Sequence, residues 1–364
     1  MSKYFHLTVK EVVRETEDTV TIHFWHPPHA TIAYKAGQFL TLIVTVEGKK
    51  LRRAYSMSSS PTKDASIAVT VKRLPNGQVS NYLNDHVKAG DVIEVMEPMG
   101  HFVYEPKPAK SKSLFSFGGG DKGRHLVFFG AGSGVTPLMS MLKTALPAEP
   151  QAKVTLFYGS RTETNIIFRD QLSQLQEEYG NRLEVIHILS QPKSWSERTG
   201  RINQQAAIRL LDETGIKVPA AEYYLCGPDG MMEEVQNALT ILKVPKEQVH
   251  KESFAPSKDT HGEVVEEEDD SKLKAREVTI IYEGAEYKVE VKPHQTILEA
   301  GLEMDIDLPY SCQAGMCTAC MGRCQSGKVM MDEEDGLTPQ EIASGFVLTC
   351  VAHPLSDGVV VEIE

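Results

Sequence analysis

The stretch Ser311–Cys324, SCQAGMCTACMGRC, puts four cysteines within fourteen residues. Cys312, Cys317 and Cys320 stand as C-x4-C-x2-C, and Cys350 follows after a gap of twenty-nine residues. Zinc ribbons repeat two separated C-x2-C knuckles, and only one occurs here. A bacterial four-iron run needs C-x2-C-x2-C-x3-C-P, which is missing. The spacing fits a [2Fe–2S] cluster held by Cys312, Cys317, Cys320 and Cys350. Ala314, Gly315 and Ala319 let backbone N–H groups approach the sulfurs, and Gly315 is placed for a conformation that a β-carbon disfavours. Cys324 is left over. "GRCQSGKV" reads as a strand entering a turn, which sets Cys324 ~13 Å from Cys320, too far to share one cluster. Its expected role is that of a small buried hydrophobe.

Around this stretch lies a chain of 364 residues, enough for two or three domains. With 41% hydrophobic and 24% charged residues it reads as globular, neither disordered nor fibrous. The first residues hold no apolar signal core, and the most apolar window, HLVFFGAGSGVTPLMSML, is broken by glycine and proline. A cytoplasmic protein without membrane insertion is expected, and its six cysteines then favour metal or redox chemistry over disulfides. The net charge of −12 is uneven: +4 over residues 1–258, −5 over 259–275 and −11 over 276–364. The acidic C-terminal quarter is either a solvated surface or a field that steers a basic partner, and it argues against nucleic acid.

The chain divides by pattern. Residues 1–105 read as strands (TVTIHFWH, GQFLTLIVTVEG, ASIAVTVKRLPNG) spaced for a small antiparallel barrel, with one short helix over Ser80–Val87 capped by Ser80. Residues 106–123, rich in Pro, Ser, Lys and Gly, form a loop or boundary. Residues 124–257 alternate strand and helix, as a parallel α/β sheet does. Residues 258–275 contain five consecutive acids, Glu266–Asp270, and read as a linker. Residues 276–364 open with a hairpin and a helix capped by Thr296, then reach the cysteines.

GAGSGVTP (Gly130–Pro137) lies between a strand and a helix, where backbone N–H groups can hold a phosphate. G-x-G-x-G is not the dinucleotide fingerprint, so a plain strand-to-helix turn remains open from the motif alone. The next strand ends at Ser160 and Arg161, where a NAD site usually has an acid; a guanidinium suits the 2′-phosphate of NADPH.

The order RAYS (Arg53–Ser56), VKRLPNGQVSNYL, GAGSGVTP, YLCGPDGMM resembles the ferredoxin–NADP reductase superfamily, and residues 276–364 resemble plant-type ferredoxin. The resemblance implies an FAD-binding antiparallel β-barrel, a nucleotide-binding α/β domain and an α+β β-grasp ferredoxin domain. It implies that Arg53 binds the flavin pyrophosphate, with Ala54 beside it. Tyr55 would pack on the isoalloxazine, and Ser56 would lie near N5. Val71, Lys72, Gly77, Val79 and Ser80 would wrap the flavin phosphates. Gly132, Gly134, Thr136, Ser160 and Arg161 would hold NADPH. Cys226, Gly227 and Pro228 would lie beside the nicotinamide, with Phe254 covering the flavin; Glu252 would move protons near N5 or be a surface carboxylate. Cys226 could otherwise be a small buried strand-end residue. The domain order is similar to that of the phenylacetyl-CoA epoxidase reductases, which implies electron delivery from NADPH through FAD and [2Fe–2S] to a diiron oxygenase of phenylacetate degradation. Reductases of other oxygenases, hydroxylases or fatty-acid desaturases share this order, and a zinc-stabilised interaction module is the alternative from another class.

Overall fold

A computed structural model describes residues 4–28, 30–107, 123–194, 197–254, 274–334 and 336–363. The expected loop and the acidic linker fall largely at 108–122 and 255–273, outside the described residues.

The first unit is antiparallel. Strands β1 (Tyr4–Thr16), β2 (Thr19–Phe24), β3 (Phe39–Val46), β4 (Lys49–Ser56), β5 (Ile67–Lys72) and β6 (Val92–Met96) lie in the order β4-β3-β6-β1-β2-β5. Past β4 the chain crosses to the other edge: Met57 bridges Val69, and Ser58 N–H donates to Ala68 O at 2.8 Å. That contact brings the two edges together and makes the sheet a barrel. Alternate residues such as Leu7 and Val9, Val20 and Ile22, and Leu40 and Leu42 fill its core. Helix α1 (Gln78–Asp85) adds Val79 and Leu83. The expected cap is corrected: α1 starts two residues before Ser80, with Gly77 at its N-cap. Ser80 Oγ instead accepts from Leu74 N–H and donates to Gly77 O, closing the preceding turn.

The second unit is a parallel sheet. Strands β7 (His125–Ala131), β8 (Lys153–Ser160), β9 (Leu183–Leu189), β10 (Ala221–Cys226) and β11 (Val249–Glu252) run β11-β10-β7-β8-β9. Both faces are apolar. Leu126 and Phe128 join α2 (Val135–Ala148) and α3 (Arg169–Tyr179) in one core. Val127 and Phe129 join α4 (Gln204–Glu213) and α5 (Asp229–Ile241) in the other. Helix α3 starts later than the run NIIFRDQL suggests, because Ile166, Ile167 and Phe168 are buried and Phe168 turns the chain at φ +61°. Helix α4 was not expected, although Asn203 Oδ1 caps it by accepting from Ala206 N–H at 2.9 Å.

One charged cluster ties the root of this sheet to the barrel. Arg124 pairs with Glu149 and Glu222, each at 2.6 Å, and donates to Glu105 O at 2.8 Å. Tyr104 and the Lys107 N–H donate to the same Glu149 carboxylate.

The third unit is the β-grasp domain. Strands β12 (Arg276–Tyr282) and β13 (Ala285–Val291) form the expected hairpin across Glu283 and Gly284, both at positive φ, as a two-residue hairpin turn demands. After them come α6 (Ile297–Glu303), β14 (Met321–Ser326), β15 (Val329–Met331), α7 (Pro339–Ala343), β16 (Phe346–Leu348), β17 (Ala352–Pro354) and β18 (Val359–Ile363). The main sheet runs β13-β12-β18-β14-β16, and β15 pairs with β17. Thr296 caps α6 in a reciprocal capping box with Glu299, as expected of Thr296. Among the described residues no helix is long and apolar enough to cross a membrane.

Candidate active site and cluster pocket

At the C-terminal ends of the parallel strands lies a cavity of about 800 Å³. This is where open α/β sheets bind ligands. Of the residues expected to hold cofactors, Lys72, Gly132, Gly134, Ser160, Arg161, Gly227, Pro228 and Phe254 line it. Gly134 comes so near the β10–α5 turn that a Cβ there would sit 2.1 Å from Cys226 O. Gly132 takes φ +54°. The side-chain oxygen of Thr136, in the first turn of α2, is buried without a partner, as suits a site that receives a polar ligand. The cavity also includes Asn165, Ser190, Arg201 and Asn203, which the sequence reading missed. The cap sequence at Asn203 was the signal that could have placed the last two.

The RAYS residues end β4. Arg53 is exposed and its Nη1 donates to Arg52 O at 2.7 Å. Ala54 and Tyr55 are half-buried, and burial raises the Tyr55 phenol well above its ordinary range. Gly77 stands at the mouth of α1, while Val71, Val79 and Ser80 point into the barrel or its turn, leaving backbone there for a ligand.

Ser56, Cys226 and Glu252 are drawn together. Cys226 and Glu252 are register partners on β10 and β11, both buried. Burial first, then the Cys312 charge, push the Glu252 carboxyl up to about 8, against the opposing Ser56 hydroxyl. Glu252 therefore holds a proton at neutral pH, and one carboxyl oxygen is buried without a partner. Burial, then Glu252, raise the Cys226 thiol. The surface-carboxylate alternative for Glu252 is thereby corrected: the residue is only 8% exposed.

The four expected ligands converge. The Cys312 sulfur lies beside those of Cys317 and Cys350, and Cys320 beside Cys350. Hydrogen bonds from Cys317 and Cys350 hold the Cys312 thiol far below its usual range, and its sulfur accepts from Ala314 N–H at 3.4 Å. Such N–H groups near sulfur are what an iron–sulfur site uses to tune its cluster. Among the described residues no group of three His, Cys, Asp or Glu is arranged around a single ion. The sulfurs instead form a run of neighbours, Cys317 beside Cys312, Cys312 beside Cys350 and Cys350 beside Cys320. Gly315 takes φ +68°, as expected, and a Cβ there would strike Glu333. Cys324 sits on β14, half-buried, donating to Ser326 O.

This cluster loop is seated on the barrel. Cys312, Cys317 and Ala319 pack with Phe39, Ile43, Ala54, Met96 and Met99. The Thr41 and Ser311 hydroxyls are hydrogen-bonded at 2.5 Å. Arg52, itself 3% exposed, pairs with Asp307 at 2.7 Å and lies over the Tyr310 ring. No sequence signal pointed to Arg52, Thr41 or Asp307.

Comparison with known proteins agrees with this geometry. Family profiles match as an oxidoreductase FAD-binding domain over 6–104, an oxidoreductase NAD-binding domain over 128–237 and a 2Fe-2S iron-sulfur cluster binding domain over 280–355. The chain is 34% identical to a component of the 1,2-phenylacetyl-CoA epoxidase of Escherichia coli K12, covering 100% of this chain and 99% of that one. It is 36% identical to the ferredoxin reductase component of 3-ketosteroid-9-alpha-monooxygenase from Rhodococcus rhodochrous, over 98% and 96%. In fold it is similar to phthalate dioxygenase reductase, with a TM-score of 0.62 and 21% identity over 99% and 98% of the two chains.

Proposed function

The chain belongs to the family of oxygenase reductases that join FAD-binding, NAD-binding and [2Fe–2S] domains, and from that premise we propose that it takes electrons from NADPH and passes them to an epoxidase acting on phenylacetyl-CoA. The observation that carries this reading is the meeting of Ser56, Cys226, Glu252 and Cys312 at one point, where barrel, nucleotide domain and cluster loop converge.

FAD, when bound, converts a two-electron delivery into single electrons, and the cluster takes them one at a time. The residues do the positioning. Arg53 offers an exposed guanidinium to the flavin pyrophosphate, and the Tyr55 ring gives a flat apolar face. The Gly132–Gly134 turn presents backbone N–H groups to the nucleotide phosphates, with Thr136 supplying a free hydroxyl. Arg161 and Ser160 line the cavity, and the guanidinium there suits the 2′-phosphate of NADPH. Cys226 keeps the nicotinamide side dry, while Glu252 holds a proton beside Ser56. Phe254 lies over the cavity that the nicotinamide must enter. A reducing cytoplasm supplies both NADPH and the free thiols the cluster needs.

The test is an anaerobic NADPH titration of the holoprotein with purified oxygenase components. The phenylacetyl-CoA epoxidase component should accept electrons fastest. Equal or faster transfer to a 3-ketosteroid monooxygenase component would refute that acceptor and leave the reductase chemistry intact.

A further inference from the structure

The seam between the cluster loop and the barrel differs from the seam between barrel and nucleotide domain. The latter is tied by Ser140 to Ser59 O, Ser60 to Thr144, Lys143 to Asp64 and Lys63 to Glu178. Among the described residues, the former rests on one hydroxyl pair, one ion pair whose Asp307 is 63% exposed, the contact of Arg52 with the Tyr310 ring, and an apolar patch. Inter-domain seams of this mixed polar and apolar kind let domains move relative to one another. Apart from Cys312, which Glu252 of the nucleotide domain also faces, the cluster loop packs on its own domain: Cys320 and Cys350 lie in its core, and Gly315 lies against Glu333 and Gly336.

We propose that the face formed by Asp307, Tyr310, Ser311, Cys312, Cys317 and Ala319 serves both the barrel and the external acceptor in turn, so that the ferredoxin domain must leave the barrel before it can pass an electron on. This rests on the reading of the chain as a reductase for a protein acceptor. The acceptor surface that fits is apolar at its centre, with an arginine or lysine placed for Asp307 as Arg52 is. The domain's net charge of −11 favours such a basic partner. In each cycle NADPH becomes NADP⁺ and a proton and yields two electrons. The cluster carries them singly, without making or breaking a covalent bond, so two one-electron acceptors are reduced.

The test locks the seam. Thr41 and Ser311 are short side chains with oxygens 2.5 Å apart, which brings their β-carbons within reach of a disulfide. In the full holoprotein, Thr41→Cys/Ser311→Cys in its oxidised form should still let NADPH bleach the cluster absorbance. Its reduction of cytochrome c, a basic haem protein, should fall about tenfold or more and return when the disulfide is reduced. Undiminished cytochrome c reduction by the locked protein overturns the proposal. If the unlocked protein reduces its cluster but not cytochrome c, the reading beneath fails instead, and the proposal with it. Arg52→Glu provides a second arm. It should slow NADPH-driven cluster reduction and enlarge the radius of gyration in solution scattering, while a dithionite-reduced cluster passes electrons to cytochrome c at the wild-type rate. Arg52→Asp/Asp307→Arg should restore both properties. An unchanged radius with unchanged cluster reduction in Arg52→Glu also overturns the proposal.

Discussion

Gly134→Ala tests the steric basis of the nucleotide site. Gly134 has ordinary helical backbone, φ −61°, so the substitution meets no conformational penalty there. What it meets is backbone: a Cβ would lie 2.1 Å from Cys226 O, 2.4 Å from Cys226 C and 2.8 Å from Gly227 N. Ordinary contact begins at 3.4 Å, so the β7–α2 turn must separate from the β10–α5 turn by about 1.3 Å. No flexible side chain can absorb that movement. Overpacking of this kind costs about 1–3 kcal/mol and should lower the melting temperature by roughly 3–10 °C. A misplacement near 1 Å costs up to ~100-fold in rate. The assays are thermal denaturation and kcat/KM for NADPH-driven ferricyanide reduction. Wild-type values in both would refute the reasoning. Gly132→Ala is the contrast: nothing lies within 4 Å of its Cβ, but φ is +54°, so the expected cost is only the ~1 kcal/mol of a left-handed alanine.

Three further outcomes are expected. Cys350→Ser should abolish the iron–sulfur absorbance, whereas Cys324→Ser should keep it; the visible spectrum decides. Arg161→Ala should raise KM for NADPH about tenfold more than KM for NADH, since a charge-assisted contact is worth ~1.5–3 kcal/mol; equal losses for both would reject the 2′-phosphate role. His353 shows a pH effect. Burial lowers its pKa, but the Asp332 carboxylate 3.0 Å from Nε2 outweighs this and the net shift is upward. A raised pKa stabilises the fold fully below the unfolded value of 6.5 and loses that contribution as pH climbs through the folded value. Melting temperature measured upward from about pH 6 should therefore decline across that window, and His353→Gln should flatten the decline.

Much of the fold was legible because its signals are local. The β-rich run over Phe39–Val46, strand–helix alternation after His125 and the hairpin at the start of the last domain each report on their own neighbourhood. The convergence of Cys312, Cys317, Cys320 and Cys350 was legible because three of them share one loop at a spacing the fourth completes. Helix starts were read less well. Ser80 looks like a cap in sequence, yet its hydroxyl closes the turn from Leu74, and helix α1 starts at Gln78 with Gly77 as its cap. Burial of Ile166–Phe168 delays α3 against its own periodicity. The seat of the cluster loop was not legible at all. Arg52 and Asp307 are 255 positions apart and carry no motif, and each looks like an ordinary charged residue until the two domains are brought together.

The charged knot around Arg124 has a practical consequence for engineering. It fastens Glu105 and Lys107 on one side of residues 108–122 to the start of β7 on the other. Because these bonds join the two stems directly, the register of barrel and sheet depends on Arg124 and Glu149 themselves. Variants made to lower surface charge should therefore spare this pair, since replacing either leaves the other's charge at a largely buried position without its partner.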